Sequence, residues 1–133
     1  MAPKILVITN NLNEQVSLLL LLTAAQYLPT CCDGLPSALT ALQASSFDVI
    51  ITDAIIYDTP PQKMAAVEFA SLLKEIPQNS QTPVLVMGDM ISLHHIMNTL
   101  QSGIARFIPK PYTSADFLDT LAAELRIAEP YCR

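Results

Sequence analysis

Five short apolar runs, separated by longer segments with helical periodicity, limit the folds open to this chain more than any other feature. A parallel strand that is buried on both faces has this continuous apolar character, and parallel neighbours are usually joined by helices. The alternation predicts an α/β fold, a doubly wound five-stranded parallel sheet covered on both faces by five helices. The predicted strands are Lys4–Ile8, Thr30–Cys32, Phe47–Asp53, Val84–Met87 and Arg106–Ile108.

Capping and breaking residues place the helices between these strands. Asn13 is a plausible N-cap for the first helix, Pro36 suits the first turn of the second, and Ser114 is a plausible cap for the last. Gly103 is a natural stop for the fourth helix, in which His94 and His95 are adjacent and cannot chelate one ion together. The predicted helices run from Asn13 to about Tyr27, Pro36 to about Ala44, Lys63 to Ile76, Ser92 to Gln101, and onward from Ser114.

Length and composition favour a single globular domain, residues 1–133, with 51% hydrophobic and 14% charged residues. The net charge of -5 comes without an acidic block and argues against nucleic acid or an anionic membrane as a direct partner. The longest apolar run, which begins at Leu18, is too short for a bilayer, and we see no secretory signal, so we expect a cytoplasmic location. The cysteines, Cys31, Cys32 and Cys132, have neither metal-site spacing nor an even number, and we interpret them as buried or incidental thiols.

Asp53 is the first candidate for function, because it ends a buried strand where an open parallel sheet collects ligands and chemistry. Four stretches around it resemble the receiver domain of two-component response regulators (CheY-like). They are Lys4–Ile8, Asp48–Asp53, Pro83–Met87 and, most specifically, Ser102–Tyr112, which contains the pair Lys110-Pro111. The resemblance extends from Lys4 to about Ala128 and implies a flavodoxin-like sheet with strand order 2-1-3-4-5.

The resemblance also implies a phosphoryl-transfer site with Asp53 as phosphoacceptor and Lys110 as its phosphate-binding partner, with a cis peptide at Pro111 that aims Lys110 back at Asp53. Receiver domains hold Mg²⁺ with two adjacent acids, the acceptor aspartate and a backbone carbonyl two residues further on. Here the acids are replaced by Thr9 and Asn10. The remaining metal-ligand candidates, Asn10, Asp53 and the carbonyl of Ile55, predict weak Mg²⁺ binding.

Two further receiver positions also differ. Gly88 replaces the hydroxyl residue that couples phosphorylation to loop movement, and Phe107 occupies the position of the switch aromatic without a phenolic hydroxyl. The loop Tyr57–Gln62 carries about five extra residues, and Asp58 or Asp89 could lean in and supply some of the lost charge. We therefore predict a degenerate, pseudo-receiver type of module.

This module is predicted to act by protein–protein interaction in signalling, without enzymatic activity and with no confident catalytic residue. The alternative is an atypical but functional receiver that is phosphorylated on Asp53 by a histidine kinase or phosphotransfer protein. A flavin or nucleotide binder is disfavoured, because the loop Thr9–Asn13 has one hydroxyl and no glycine. Candidate partners are a histidine kinase, a phosphotransfer protein or an output domain. The leucine run supplies candidate partner-surface residues, since a helix on a sheet buries one stripe: Leu18, Leu19, Leu20, Leu21 and Leu22.

Overall fold

The computed structural model describes residues 2–58, 62–90 and 103–128. A five-stranded parallel sheet lies at its centre, and its strands follow one another in the spatial order Leu28–Cys32, Lys4–Ile8, Val49–Asp53, Val84–Gly88 and Arg106–Pro109. Counted along the main sheet, this order is 2-1-3-4-5, so the doubly wound, flavodoxin-like prediction is confirmed. The five strands are β1 (Lys4–Ile8), β2 (Leu28–Cys32), β3 (Val49–Asp53), β6 (Val84–Gly88) and β7 (Arg106–Pro109).

Four α-helices are seen in the described ranges, and they flank the sheet on both faces. The fourth of the five predicted helices, Ser92–Gln101 with its two histidines, lies outside the described residues, whereas Gly103 beyond it has a left-handed φ of +76°. The four helices are α1 (Leu12–Ala24), α2 (Leu35–Ala44), α3 (Ala66–Leu73) and α4 (Ser114–Ala128).

Two apolar clusters cover the two faces of the sheet. One lies under α2 and α3 and includes Leu42 and Phe69, while the other lies under α1 and α4 and includes Leu22 and Phe117. Residues of β3 alternate between the clusters, as expected for a strand buried on both faces. The sheet is therefore covered by apolar packing on both faces.

Three local predictions were wrong. Asn11, rather than Asn13, is the N-cap of α1, and its side chain accepts a hydrogen bond from the amide of Glu14 at 3.0 Å. Thr113, rather than Ser114, caps α4 by accepting from the amide of Asp116 at 3.0 Å. In both cases two polar residues close in sequence compete for the cap, and residue type alone cannot separate them.

The third error concerns the predicted start of α3 at Lys63. The segments β4 (Ile55–Tyr57) and β5 (Lys63–Ala65) instead form an antiparallel hairpin, and α3 begins at Ala66. The amide of Ala66 donates to the carbonyl of Ala54 at 2.9 Å, so the ladder continues to the base of the hairpin. The described residues after Asp53 therefore include a small second sheet, to which Tyr57, the first residue of the predicted longer loop, belongs.

Asn79, in a short 3-10 helix (Pro77–Asn79), ties together the segments that precede β3 and β6. Its Oδ1 accepts from the amide of Phe47 at 2.8 Å, and its Nδ2 donates to the carbonyls of Leu42 and Ser45 at 2.7 and 2.8 Å. The side chain is buried with its polar atoms bonded, which is the condition for a stabilising buried amide.

Candidate functional site

Asp53 lies at the carboxyl end of β3, where it pairs with Met87 of β6. Its side chain is 18% exposed, so the carboxylate faces the open edge of the sheet without being fully solvated. Its neighbour Thr52 pairs with Ile8 of β1 on the other side, so parallel strands hold this end of β3 from both sides. The acid stands at the position where an open α/β sheet presents ligand-binding groups.

Lys110 reaches this acid from the segment after β7. Its Nζ lies 2.8 Å from Asp53 Oδ1, and the Lys110–Pro111 peptide is cis, as the resemblance implied. The amide of Lys110 also donates to the carbonyl of Gly88 at 2.8 Å. Gly88 thus contributes a backbone acceptor to the site even though it has no hydroxyl.

Thr9, at the end of β1, is buried and donates its hydroxyl hydrogen to Asp53 Oδ2. Its Oγ1 in turn accepts from the amide of Asn11 at 3.2 Å. The resemblance implies acids at both positions, Thr9 and Asn10. Thr9 supplies a hydrogen-bond donor instead, and it contacts the same carboxylate that a metal would bind.

Glu14 is the site residue that sequence reasoning missed. Its Oε1 lies 2.6 Å from Lys110 Nζ and 3.5 Å from Thr9 Oγ1, and its Oε2 accepts the hydroxyl of Tyr112 at 2.8 Å. The Glu14 side chain is 13% exposed and comes from the first turn of α1. A second carboxylate is therefore present, four residues further along the chain than the acid pair it could replace.

These five residues form a closed set, here called the Asp53 network. Each of its four carboxylate oxygens has a donor within the network, and one ammonium lies between two acids. With Asp53 and Glu14 ionised, their two negative charges and the single positive charge leave a net charge of -1. The members of the Asp53 network are Thr9, Glu14, Asp53, Lys110 and Tyr112.

The two acids shift the titration of their neighbours. Burial lowers the pKa of Lys110, but its hydrogen bonds to Asp53 and Glu14 and their charges outweigh burial and raise the pKa above the usual 10.5. Burial, followed by the hydrogen bond to Glu14, raises the pKa of Tyr112 well above its usual range. Lys110 is therefore a cation and Tyr112 a neutral donor at physiological pH.

The other candidate metal ligands are arranged differently. Asn10 is exposed, and together with Gly34, Tyr57 and Asp58 it lines a cavity of about 510 Å³ beside the hairpin. The carbonyl of Ala54 accepts from Ala66, so the carbonyl of Ile55, one residue on, points away from the partner strand of the hairpin. In the described ranges, no three His, Cys, Asp or Glu residues are grouped so that they could hold a metal ion.

The remaining candidates are Phe107 and the leucine run. Phe107 is half-buried against the cluster under α2 and α3. In the leucine run, Leu18 and Leu22 are core residues and Leu21 packs against the core, whereas Leu19 and Leu20 are 42% and 65% exposed. The run therefore divides between the core and the surface, as a helix that buries one stripe requires.

The cysteines in the described ranges are free. Cys32 is buried and Cys31 is half-buried, and burial raises the pKa of both thiols. Cys132 lies outside the described residues. No helix in the described part of the chain is both long and apolar enough to cross a membrane.

No protein-family model and no curated protein matches this sequence. Solved structures do match. The chemotaxis response regulator CheY4 of Vibrio cholerae has a TM-score of 0.81 at 23% identity, covering 93% of this chain and 99% of its own. A two-component response regulator from Clostridium difficile has a TM-score of 0.82 at 18% identity, covering 96% and 98%.

The receiver domain of sensor histidine kinase PA1611 from Pseudomonas aeruginosa has a TM-score of 0.78 at 17% identity, covering 94% of this chain and 98% of its own. That structure holds a magnesium ion in its active-site cleft. At these identities the likeness establishes architecture, and a shared fold does not by itself carry a shared activity. The chain has the fold of the CheY-like receiver domains of response regulators.

Proposed function

We propose that this chain is a receiver-like signal-transduction module that acts by protein–protein contact, with impaired or absent Mg²⁺-dependent phosphorylation of Asp53. One observation carries the proposal. Both carboxylate oxygens of Asp53 accept hydrogen bonds from the chain's own donors, Thr9 and Lys110. An acceptor aspartate must present one oxygen to phosphorus and share the other with a cation, so the bonded carboxylate is a poor nucleophile.

The metal side of the site supports the same conclusion. A divalent ion such as Mg²⁺ prefers oxygen ligands and sheds water reluctantly, so it is usually bound by one or two carboxylates and the substrate phosphate. At the position of the family's acids the chain has a hydroxyl that donates to Asp53 and an exposed amide, Asn10. The ammonium of Lys110 already neutralises Asp53.

A second candidate function is favoured by Glu14. Its carboxylate bonds the same ammonium as Asp53, so two carboxylates meet at the site, as many as a Mg²⁺ ion commonly uses. If Lys110 moved aside, Glu14, Asp53 and the carbonyl of Ile55 could hold a weakly bound Mg²⁺ ion. The chain would then be an atypical but functional receiver, phosphorylated on Asp53 by a histidine kinase or phosphotransfer protein.

A titration separates the two functions. The protein, labelled with ¹⁵N, is treated with beryllofluoride or acetyl phosphate while Mg²⁺ is raised, and amide shifts near Asp53, Gly88 and Lys110 are followed. We expect no saturable change. A change that saturates at millimolar Mg²⁺ and disappears in Asp53→Asn would establish the functional receiver instead.

The contact surface proposed for this module is the exposed face of α1. Val16 and Leu20 lie four residues apart on it, Leu19 lies beside them, and the exposed Leu12 begins the helix. Glu14 is the one charged residue in the sequence of α1, and it is engaged in the Asp53 network. An uncharged apolar face fits an apolar helix of a phosphotransfer protein better than a charged surface.

The surface is tested by measuring the affinity of a purified histidine-containing phosphotransfer protein for two variants. Leu20→Gln removes an exposed apolar side chain from the face and should weaken binding about tenfold or more, as truncation of a central contact commonly does. Gln43→Ala, on the exposed side of α2, is the matched control and should bind like the wild type. Equal affinity for both variants would exclude this face.

A further inference from the structure

We propose that Glu14 is a built-in anionic ligand of Lys110 that keeps tetrahedral oxyanions, such as inorganic phosphate or a phosphoryl group, off this ammonium. The inference rests on the proposed function, since it assigns a regulator to the same site. Glu14 is a positioning residue in this account, because it acts through Lys110 and does not itself react.

The contact geometry supports this role. Lys110 Nζ lies closer to Glu14 Oε1, at 2.6 Å, than to Asp53 Oδ1, at 2.8 Å. An ammonium has three donor hydrogens, and the two acids take two of them. A phosphate oxygen would have to displace one of the acids or settle for the third hydrogen.

Tyr112 holds Glu14 in place through the second oxygen of its carboxylate, as Thr9 does for Asp53. The Tyr112 hydroxyl donates to Glu14 Oε2 at 2.8 Å, and its ring packs against Phe117 of α4 with a centroid distance of 5.0 Å. Lys110 and Tyr112 lie on either side of Pro111, so one short segment donates hydrogen bonds to both oxygens of Glu14. The first turn of α1 is thereby tied to the segment that leads into α4.

Charge acts in the same direction as geometry. With both acids in place the Asp53 network carries a net charge of -1 and repels an anion, although Lys110 is fully protonated. Neutralising either acid makes the network neutral. Glu14→Gln and Asp53→Asn therefore remove the same charge, and they differ only in which carboxylate is removed from Lys110.

The test uses the full chain in metal-free buffer at constant ionic strength, without any phosphodonor. Inorganic phosphate is titrated while the amide shifts of Thr9, Asp53 and Lys110 are followed. Glu14→Gln should bind phosphate about tenfold more tightly than the wild type, a difference that corresponds to about 1.4 kcal/mol. Asp53→Asn, the charge-matched control, should gain clearly less affinity than Glu14→Gln, because Glu14 remains on the ammonium.

Equal phosphate affinity in Glu14→Gln and Asp53→Asn would overturn the proposal, because net charge alone would then account for the effect. Equal affinity in Glu14→Gln and the wild type would overturn it as well. If Glu14→Gln does not fold, the phosphate affinity of Tyr112→Phe is measured instead. This variant removes the hydrogen bond to Glu14 Oε2, so it must bind phosphate more tightly than the wild type, and equal affinity would overturn the proposal. The titration needs neither Mg²⁺ nor phosphorylation, so its failure is distinguishable from failure of the proposed function.

Discussion

Replacing Lys110 with methionine removes the cation of the Asp53 network while it keeps an unbranched, largely apolar side chain. Two ion pairs are lost, and two carboxylates that shared one nitrogen are left together. Exposed pairs contribute about 0.2–1 kcal/mol, whereas removing one partner of a buried pair costs about 3–5 kcal/mol. The side chains of Lys110, Asp53 and Glu14 are 31%, 18% and 13% exposed, which places the expected loss near 2–3 kcal/mol.

Urea and thermal unfolding measure this loss. In a domain of this size, a loss of that order lowers Tm by about 6–12 °C. Asp53→Asn should cost less, because Lys110 keeps its contact with Glu14. In the double variant, Asp53→Asn should restore part of the stability lost in Lys110→Met, since one of two facing carboxylates is neutralised. A Lys110→Met protein as stable as the wild type, or strictly additive effects in the double variant, would refute this reasoning.

Three further outcomes are expected. Asp53→Ala should lose about 1 kcal/mol of stability and keep its partner affinity, and a folded variant that no longer binds the partner would contradict a function based on contacts alone. Asn79→Ala should lose about 2–4 kcal/mol in urea unfolding, because the amide of Phe47 and two carbonyls lose their buried partner; a loss below about 0.5 kcal/mol would disprove that account. Because the pKa of Lys110 is raised in the folded state, its contribution to stability is complete below pH 10.5 and is lost as pH rises through the higher folded-state pKa. The difference in unfolding free energy between wild type and Lys110→Met should therefore stay constant from pH 6 to 9. A difference that narrows within that window would contradict the assignment.

The sheet and the positions of Asp53 and Lys110 at strand ends could be predicted from the sequence, because they rest on strong local signals. Continuous β-branched runs define strands that are buried on both faces, and Asp53 and the pair Lys110-Pro111 stand directly at strand ends. Topology alone singled out Asp53. That Lys110 reaches Asp53 was implied by the resemblance to receiver domains.

Glu14 was missed because an acid in the first turn of a helix is an ordinary partner for the helix dipole. The helical repeat nevertheless carried a signal. Glu14 precedes Leu18 and Leu22 by four and eight residues, so it lies on the stripe of α1 that faces the core, whichever residue caps the helix. Its pairing with Lys110 and Tyr112, which are far away in the sequence, depends on packing that this stripe does not reveal.

The hairpin was missed for a different reason. Its strands have three residues each, too few for alternation to distinguish a strand from the start of a helix, and Met64 and Ala65 are good helix formers. Pairing across the turn, rather than local preference, holds Lys63–Ala65 extended. The conformation of Lys63–Ala65 is therefore set by contacts with another segment, which its own sequence does not reveal.

A substitution at Gly34 can perturb the hairpin without changing any residue of the Asp53 network. A methyl group at this position would stand 2.5 Å from the carbonyl oxygen of Tyr57, although the φ of -177° is open to any residue. The requirement for glycine is therefore purely one of space between the start of α2 and the hairpin. Gly34→Ala should displace the hairpin, and with it the wall of the neighbouring cavity, which Tyr57 lines. The substitution changes none of the side chains that donate or accept hydrogen bonds around Asp53.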